Sequence, residues 1–302
     1  MREKIGNAIL NYEFYKGEDQ YSDGDIEDEI LKYLQENDDV LDILEHDHRW
    51  PVLYHLSPVR QNILEWYDMK ADAEVLEIGA GCGAVTGVLC RKAKKVICND
   101  LSKRRSIINA TRNNKYSNLE ILVGNFNDII LSQKFDYITL IGVLEYARYY
   151  TDTENPFVDF LKKIKGYLKE DGKLLIAIEN KYGLKYWAGA REDHTGVAYD
   201  GLEGYINTQS KAETFSKKRL DAIIREAGYS NAEFYYPLPD YKFPRQIFSD
   251  YNLPKADELS IGRESYDNSR IFSFDENLVY RGLLEENMFD FFANSFFVEV
   301  SM

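Results

Sequence analysis

The sequence predicts an α/β protein, a mostly parallel sheet with helices on both faces. Three observations carry that prediction. Apolar runs of strand length alternate with segments whose apolar residues recur at helical spacing. The first such run, Val75–Ile78, stops at Gly79, Gly81 and Gly83, and a helical pattern starts directly afterwards. Finally, the Gly79–Gly83 turn, Asp100, Asn125 and Gly142 all fall at carboxyl ends of predicted strands, which right-handed crossovers would gather on one edge of the sheet.

Each element follows from its own residues. In the opening strand Val75, Leu76 and Ile78 are apolar and Glu77 is the exception. Glycines at the turn let the backbone take positive φ and let a ligand approach main-chain N–H groups that a Cβ would shield. Val85, Val88 and Leu89 form the inner stripe of the next helix, and Lys95–Asp100 is a second strand. Asp100 closes it roughly 20 residues past the glycines, where a carboxylate can take both hydroxyls of a ribose. Leu101 follows it, and Ser102 is placed to cap a helix carried by Ile107, Ile108 and Thr111. Leu119–Val123 is a third strand that runs into Gly124, Asn125 and Phe126. The stretch 134–146 is a fourth strand with a sharp exit at Gly142, and Asp136 at its start reads as structural.

Phe157, Phe160, Leu161, Ile164 and Leu168 give an amphipathic helix, 170–172 a turn, and Gly172–Ile178 a fifth strand. Ser216 caps a helix ended by Gly228, Ala232–Tyr236 is a sixth strand, and Phe291–Ser301 a last one. Residues 237–290 contain Pro237, Pro239, Pro244 and Pro254 and read as an irregular insertion. Residues 1–50 form an acidic lead with two short helices, around Ile26–Leu34 and Val40–Leu44, and 51–302 form the main domain. Ser57 and Pro58 start a helix whose first turn would bring Arg60 towards the glycine turn and a ligand carboxylate.

Gly79, Gly81 and Ala84 also satisfy the dinucleotide pattern G-x-G-x-x-A. Glu77 separates the alternatives: it can accept hydrogen bonds from the turn or face a cationic amine, and it would repel a pyrophosphate. With Glu77, Gly79, Gly81 and Gly83 at alternate positions, the stretch resembles the first motif of the class I S-adenosylmethionine-dependent methyltransferases. The resemblance implies a Rossmann-like fold with a mostly parallel seven-stranded sheet and an antiparallel last strand beside the fifth. It implies S-adenosylmethionine as cofactor, held by Glu77, Gly79, Ala80, Gly81, Gly83, Asp100, Leu101, Asn125, Phe126, Gly142 and Arg60. Asp100 would hold the ribose, Phe126 would stack on the adenine, and Asn125 stands where the family often has an Asp contacting the adenine amine. The amide oxygen of Asn125 can still accept that bond.

Beyond the fifth strand, residues 179–205 mix glycines, aromatics and both charge signs without a clean period. A connection this long is functional or disordered, and its Trp and Tyr content argues against disorder. It reads as an acceptor-binding wall, within a loop spanning 179–215, with Asn180, Tyr182, Trp187 and Tyr205 towards the acceptor. His194, with Asp193 beside it, is the base the sequence offers for taking a proton from an acceptor hydroxyl. This segment, the Leu56–Arg60 run and the first motif together resemble bacterial methyltransferases found with glycosyltransferases in cell-surface polysaccharide clusters. That resemblance implies O-methylation of a sugar or polysaccharide precursor and association with glycosyltransferases.

Composition limits the alternatives. A net charge of −14 disfavours a nucleic-acid backbone or an anionic membrane as the main partner. Cys82, Cys90 and Cys98 lack metal-type spacing, His46 and His48 have no supporting ligand cluster, and no metal is expected. There is no secretion signal and no apolar run near the roughly 20 residues of a membrane span, so a cytoplasmic protein is expected. Two other functions fit part of the pattern: an NAD(P)-dependent oxidoreductase, from the shared turn and Asp100, and a non-catalytic nucleoside-binding module in a polysaccharide-assembly complex.

Overall fold

The computed structural model describes residues 1–17, 19, 22–37, 39–259, 270 and 272–302. The chain divides into two units, Met1–Ile141 with Gly166–Leu174, and Gly142–Lys165 with Leu175–Met302.

The first unit contains strands β1 (Arg2–Ile5), β2 (Ala8–Asn11), β3 (Glu74–Ile78), β4 (Lys95–Asp100), β5 (Leu119–Val123), β6 (Phe135–Ile141) and the start of β7 (Leu168–Glu179). Their order is β1-β2-β5-β4-β3-β6-β7, so it reverses at β3. The pairs of β3 with β4, β3 with β6, β4 with β5 and β2 with β5 are parallel. Val75, Leu76, Val96, Cys98 and Ile121 are wholly buried. That is why β3 to β5 read as nearly continuous apolar runs: both faces of a parallel sheet are covered. The helices Thr86–Lys92 and Lys103–Arg112 are the crossovers, and the Ser102 hydroxyl caps the second by accepting from the Arg105 N–H at 3.2 Å.

The second unit contains the rest of β7, then β8 (Asn231–Leu238), β9 (Gln246–Ser249) and β10 (Ser295–Ser301), in the order β7-β10-β8-β9. β10 pairs antiparallel with β8, and β8 with β9. Around these strands lie the helices Pro156–Lys165, Lys217–Glu226 and Glu276–Glu285. Ser216 caps the second of them, accepting from Arg219 N–H at 3.2 Å.

Ten strands are present among the described residues, which corrects the expected seven-stranded layout, and antiparallel pairing extends beyond the last strand to β1 with β2 and β8 with β9. Part of the excess is the β1–β2 hairpin, hidden in the acidic lead because four-residue strands are too short to show a period. Its signal was Gly6-Asn7, a dipeptide suited to a two-residue turn. The other addition, β9, and the Glu276–Glu285 helix fall in the 237–290 stretch, of which part lies outside the described residues. β7 also runs straight through the expected turn at 170–172. Gly172 is needed there for closeness, since a Cβ would stand 2.9 Å from the Phe135 carbonyl oxygen.

Gly6 has φ +58°, and a Cβ on it would meet the Asn114 carbonyl oxygen at 2.6 Å. Gly6→Ala should therefore lower the unfolding free energy by about 1–3 kcal/mol. Urea denaturation measures this, and limited proteolysis should show earlier cleavage within the first 17 residues. An unchanged midpoint and cleavage pattern would mean that the hairpin does not dock as described.

Candidate functional site

In the first unit the turn after β3 is built on glycines in the left-handed region: Gly79 at φ +70°, Gly81 at +53° and Gly83 at +76°. The Gly79 and Ala80 N–H groups donate to the Asn99 carbonyl, at 2.8 and 3.0 Å, which ties the turn to β4. The Gly81 N–H donates to Asp100 Oδ2 at 2.8 Å, and the Ser102 N–H to Asp100 Oδ1 at 2.9 Å. Two of the glycines have different reasons. A Cβ at Gly83 would collide with Asn109 Oδ1 at 2.3 Å, so that glycine serves packing. At Gly81 a Cβ would find only Arg105 Nη1, at 4.0 Å, so packing leaves this side of the turn open. An open flank beside a carboxylate is what a ribose-bearing ligand needs, and the residues fit S-adenosylmethionine in that respect.

Glu77 lies beneath the turn, 2% exposed. Its Oε2 accepts from Thr86 Oγ1 at 2.7 Å and from Cys98 Sγ at 3.1 Å, and Thr86 in turn accepts from Asn109 Nδ2 at 3.1 Å. Cys98 is thus a donor as well as an apolar filler. Burial pushes the Glu77 carboxyl up to about 7 against those hydrogen bonds, and burial also raises Asp100.

The remaining cofactor candidates divide. Leu101 is half-buried next to Asp100. Asn125 Oδ1 accepts from the Asn127 N–H at 2.9 Å and caps the short Phe126–Asp128 turn, leaving one lone pair for an adenine amine. Phe126 is 6% exposed and packs edge-on against Tyr167, with centroids 5.8 Å apart, so the ring sits in the core. Arg60 is buried with its guanidinium 4.2 Å from the Tyr54 ring centroid. Gly142 belongs to the second unit; with φ +70° and a Cβ position 2.8 Å from Tyr241 Oη, it serves close packing there.

In the second unit a buried polar centre forms around His194. Its Nδ1 lies 2.9 Å from Glu192 Oε1, while Nε2 lies 3.7 Å from Glu145 Oε1 and 4.0 Å from Glu179 Oε2. Burial opposes charge on the imidazole, but the carboxylates of Glu145, Glu192 and Glu179 outweigh it and hold the proton well above its usual range. Burial pushes Glu145 up. Glu179 is buried too, yet Lys242 and His194 draw it down. Asp193 is fully engaged: Lys185 Nζ stands 2.9 Å away, and Tyr186 Oη and Lys242 Nζ both donate to it. Burial opposes its charge, but those cations hold Asp193 well below the carboxylate range.

The expected acceptor residues are not equivalent. Asn180 is wholly buried; its Nδ2 donates to the Phe291 and Ala293 carbonyls, both at 2.7 Å, and its Oδ1 accepts from the Tyr182 N–H at 3.0 Å. Tyr205 is buried with its hydroxyl against Thr214 Oγ1 at 2.7 Å. Tyr182 stacks on Phe291, and Trp187 is 45% exposed with its Nε1 donating to the Tyr182 carbonyl at 3.3 Å. Only this last pair presents aromatic surface. The sequence missed Glu145, Glu179 and Lys242, which come from three distant segments. The one available signal was Glu179 at a strand's carboxyl end, the kind of position that Asp100 holds on β4.

Residues 76–174 match the family described as "Methyltransferase domain". An uncharacterized methyltransferase of Staphylococcus carnosus is 39% identical over 107 residues, 35% of this chain and 47% of that protein. Ribosomal RNA small subunit methyltransferase A of Mycoplasma capricolum is 24% identical over 180 residues, 59% of each chain. The chain thus spans about half the length of the curated relatives it matches. Among solved structures, a phosphoethanolamine N-methyltransferase of Haemonchus contortus, in complex with phosphoethanolamine and S-adenosylhomocysteine, superposes with a TM-score of 0.48 at 15% identity, covering 73% of this chain and 47% of that one. The matched stretch runs from β3 into β7, so the likeness to that family covers the part of the first unit that carries the glycine turn and Asp100.

A carboxyl raised by burial in the fold costs stability when ionised, so the Glu77 penalty is full above pH 7 and relieved as pH falls towards 4.5. Glu77→Gln should raise the unfolding free energy at pH 8 by up to about 3 kcal/mol, and by little at pH 5. Urea unfolding at both values checks the sign; a gain of equal size at each would contradict it.

Proposed function

We propose that the chain is an S-adenosylmethionine-dependent methyltransferase acting on a hydroxyl of a sugar or polysaccharide precursor. The cofactor is S-adenosylmethionine. When bound it supplies a methyl group on a positively charged sulfur, an electrophile that needs no further activation. The residues therefore have to orient and desolvate, which can contribute about 7–11 kcal/mol when the alignment is tight. Asp100 holds the ribose, the Gly79–Gly83 turn leaves an open flank at Gly81, and Glu77 braces the helix after the turn by accepting from Thr86. The methyl group would pass to the acceptor's oxygen in exchange for the hydroxyl proton, which a residue of this chain would have to take. His194 is the group proposed to receive that proton, after giving its own to a neighbouring carboxylate, with Asp193, locked by two lysines, as a positioning residue. Asn125, Leu101, Gly142 and Arg60 stay as proposed contacts to the cofactor.

The observation that carries this proposal is the open flank of Gly81 beside the buried Asp100 carboxylate. A sugar acceptor is favoured by the exposed Trp187 next to Tyr182, since amphipathic rings suit the mixed apolar and hydroxyl faces of a sugar. Association with glycosyltransferases belongs to the same proposal. Three buried free cysteines suit the reducing cytoplasm, and the net charge of −14 suits an acceptor other than nucleic acid. Among the described residues no helix is long and apolar enough to cross a membrane. An oxidoreductase is disfavoured because Glu77 would face a pyrophosphate, and a non-catalytic module is separated only by assay.

Calorimetry should show S-adenosylhomocysteine binding and no heat with NADH. Asp100→Ala removes a charged hydrogen-bond acceptor and should weaken that binding by about 10- to 100-fold. With S-adenosylmethionine present, nucleotide sugars or glycan fragments should gain a methyl group. His194→Ala should cut that turnover while leaving S-adenosylhomocysteine affinity unchanged. Binding of NADH in its place, or an Asp100→Ala protein that binds normally, would overturn the assignment.

A further inference from the structure

The polar centre of the second unit is short of positive charge. Glu145, Glu179, Glu192 and Asp193 bring four carboxylates, at 1%, 0%, 2% and 8% exposure, while Lys185 and Lys242 bring two ammonium groups. Both lysines are directed to Asp193, and Lys242 also to Glu179 Oε1 at 2.7 Å. Glu145 and Glu192 are left with His194. With all four acids ionised even a protonated imidazole would leave one buried negative charge over, which a bound cation would offset and a proton on Glu145 would otherwise have to.

Two atoms show where the cation would sit. Glu145 Oε2 and Glu179 Oε2 are buried and accept no hydrogen bond. Glu179 Oε2 faces His194 Nε2 at 4.0 Å, and Glu145 Oε1 faces the same nitrogen at 3.7 Å. Both separations are too long for a hydrogen bond. They fall within the roughly 3.0–4.2 Å that separates two ligands of one ion when each bond is about 2.1 Å. One ligand atom from each of the three residues can be chosen so that all lie within 4.8 Å of one another.

His194 is arranged as a metal-ligating histidine is. Glu192 Oε1 takes the Nδ1 proton at 2.9 Å, and the other Glu192 oxygen accepts the His194 and Thr195 N–H groups, both at 2.7 Å. A carboxylate on Nδ1 fixes the tautomer and turns the Nε2 lone pair towards the two glutamates. The ligating residues come from three segments: Glu145 after β6, Glu179 at the end of β7, and His194 from the following connection. No sequence spacing could have announced them.

We infer that Glu145, Glu179 and His194 bind one divalent transition-metal ion, Mn²⁺ or Zn²⁺, through two carboxylate oxygens and the imidazole Nε2. An imidazole with two carboxylates suits these ions better than Mg²⁺ or Ca²⁺, which favour all-oxygen shells. Three protein ligands leave positions for an acceptor oxygen, whose proton would become more acidic on the ion. His194 would then act as a ligand rather than as a proton acceptor. His194→Ala abolishes turnover either way, so the decisive measurement is binding of the metal itself.

The test uses the full chain, stripped with a chelator and titrated with Mn²⁺ and with Zn²⁺, free ion being separated by dialysis. One equivalent per chain should bind, and Glu145→Gln and Glu179→Gln should each weaken it by at least tenfold. His46→Ala with His48→Ala should leave the stoichiometry at one. Co²⁺ in the same site should give visible absorption bands of a nitrogen–oxygen shell that vanish in the Glu145→Gln chain. A urea unfolding midpoint and a near-ultraviolet circular dichroism spectrum like the wild type's report that each variant has folded, and failure of the wild type to bind S-adenosylhomocysteine would sink the methyltransferase proposal independently of the metal. Folded chains that bind neither ion, or stoichiometric binding that survives both glutamine substitutions, would overturn the metal site.

Discussion

The hydrogen bond from the Gly81 N–H to Asp100 is the constraint on which the first unit's site depends. It joins the turn after β3 to the end of β4, where the Asn99 carbonyl already accepts from Gly79 and Ala80. The Gly81 N–H can point at a side chain 19 residues further along the chain because the glycines of the turn adopt positive φ. The Asn99 side chain carries the same edge onward, donating to the Leu122 and Gly124 carbonyls at 3.0 and 2.8 Å. The ends of β3, β4 and β5 are thereby held in one register. Since strand order reverses at β3, that edge is where an open α/β sheet leaves a crevice for a ligand.

Buried acids define both polar centres, and they are held in different ways. Glu77 has hydroxyl and thiol donors but no cation against it, so burial wins and its proton is retained towards neutrality. Asp193 has two lysines and keeps its charge. Glu145 and Glu179 lie between these extremes, each with one oxygen that nothing in the fold satisfies. A fold driven by packing alone would not keep such groups, because an unsatisfied buried acceptor costs about 1–3 kcal/mol. The proposed ion would satisfy both.

Much of this was legible in the sequence. β4 and β5 begin and end where their apolar runs do, and the caps at Ser102 and Ser216 form as their residue types predict. The Gly79–Gly83 turn and Asp100 were visible because the residues that make the cradle are neighbours or close a strand. What was hidden depends on distant contacts. Glu27, in the first helix of the acidic lead, is buried and paired with Arg105 Nε at 2.7 Å, a contact nothing near it in sequence announces. Asn180 and Tyr205 looked free to meet an acceptor and are instead fixed by hydrogen bonds to residues far along the chain or across a loop. Phe126 looked available for stacking and is packed on Tyr167. Polar or aromatic character in a connection says that a side chain will find a partner, but tertiary structure decides which.

The proposed function requires a nucleoside across the turn after β3 with its ribose on Asp100. A crystal structure of the full chain with S-adenosylhomocysteine tests it most directly. Both ribose hydroxyls should lie within hydrogen-bond distance of the Asp100 carboxylate, with the nucleoside passing over Gly81. Density for the ligand elsewhere, or a ribose turned away from Asp100, would contradict the account.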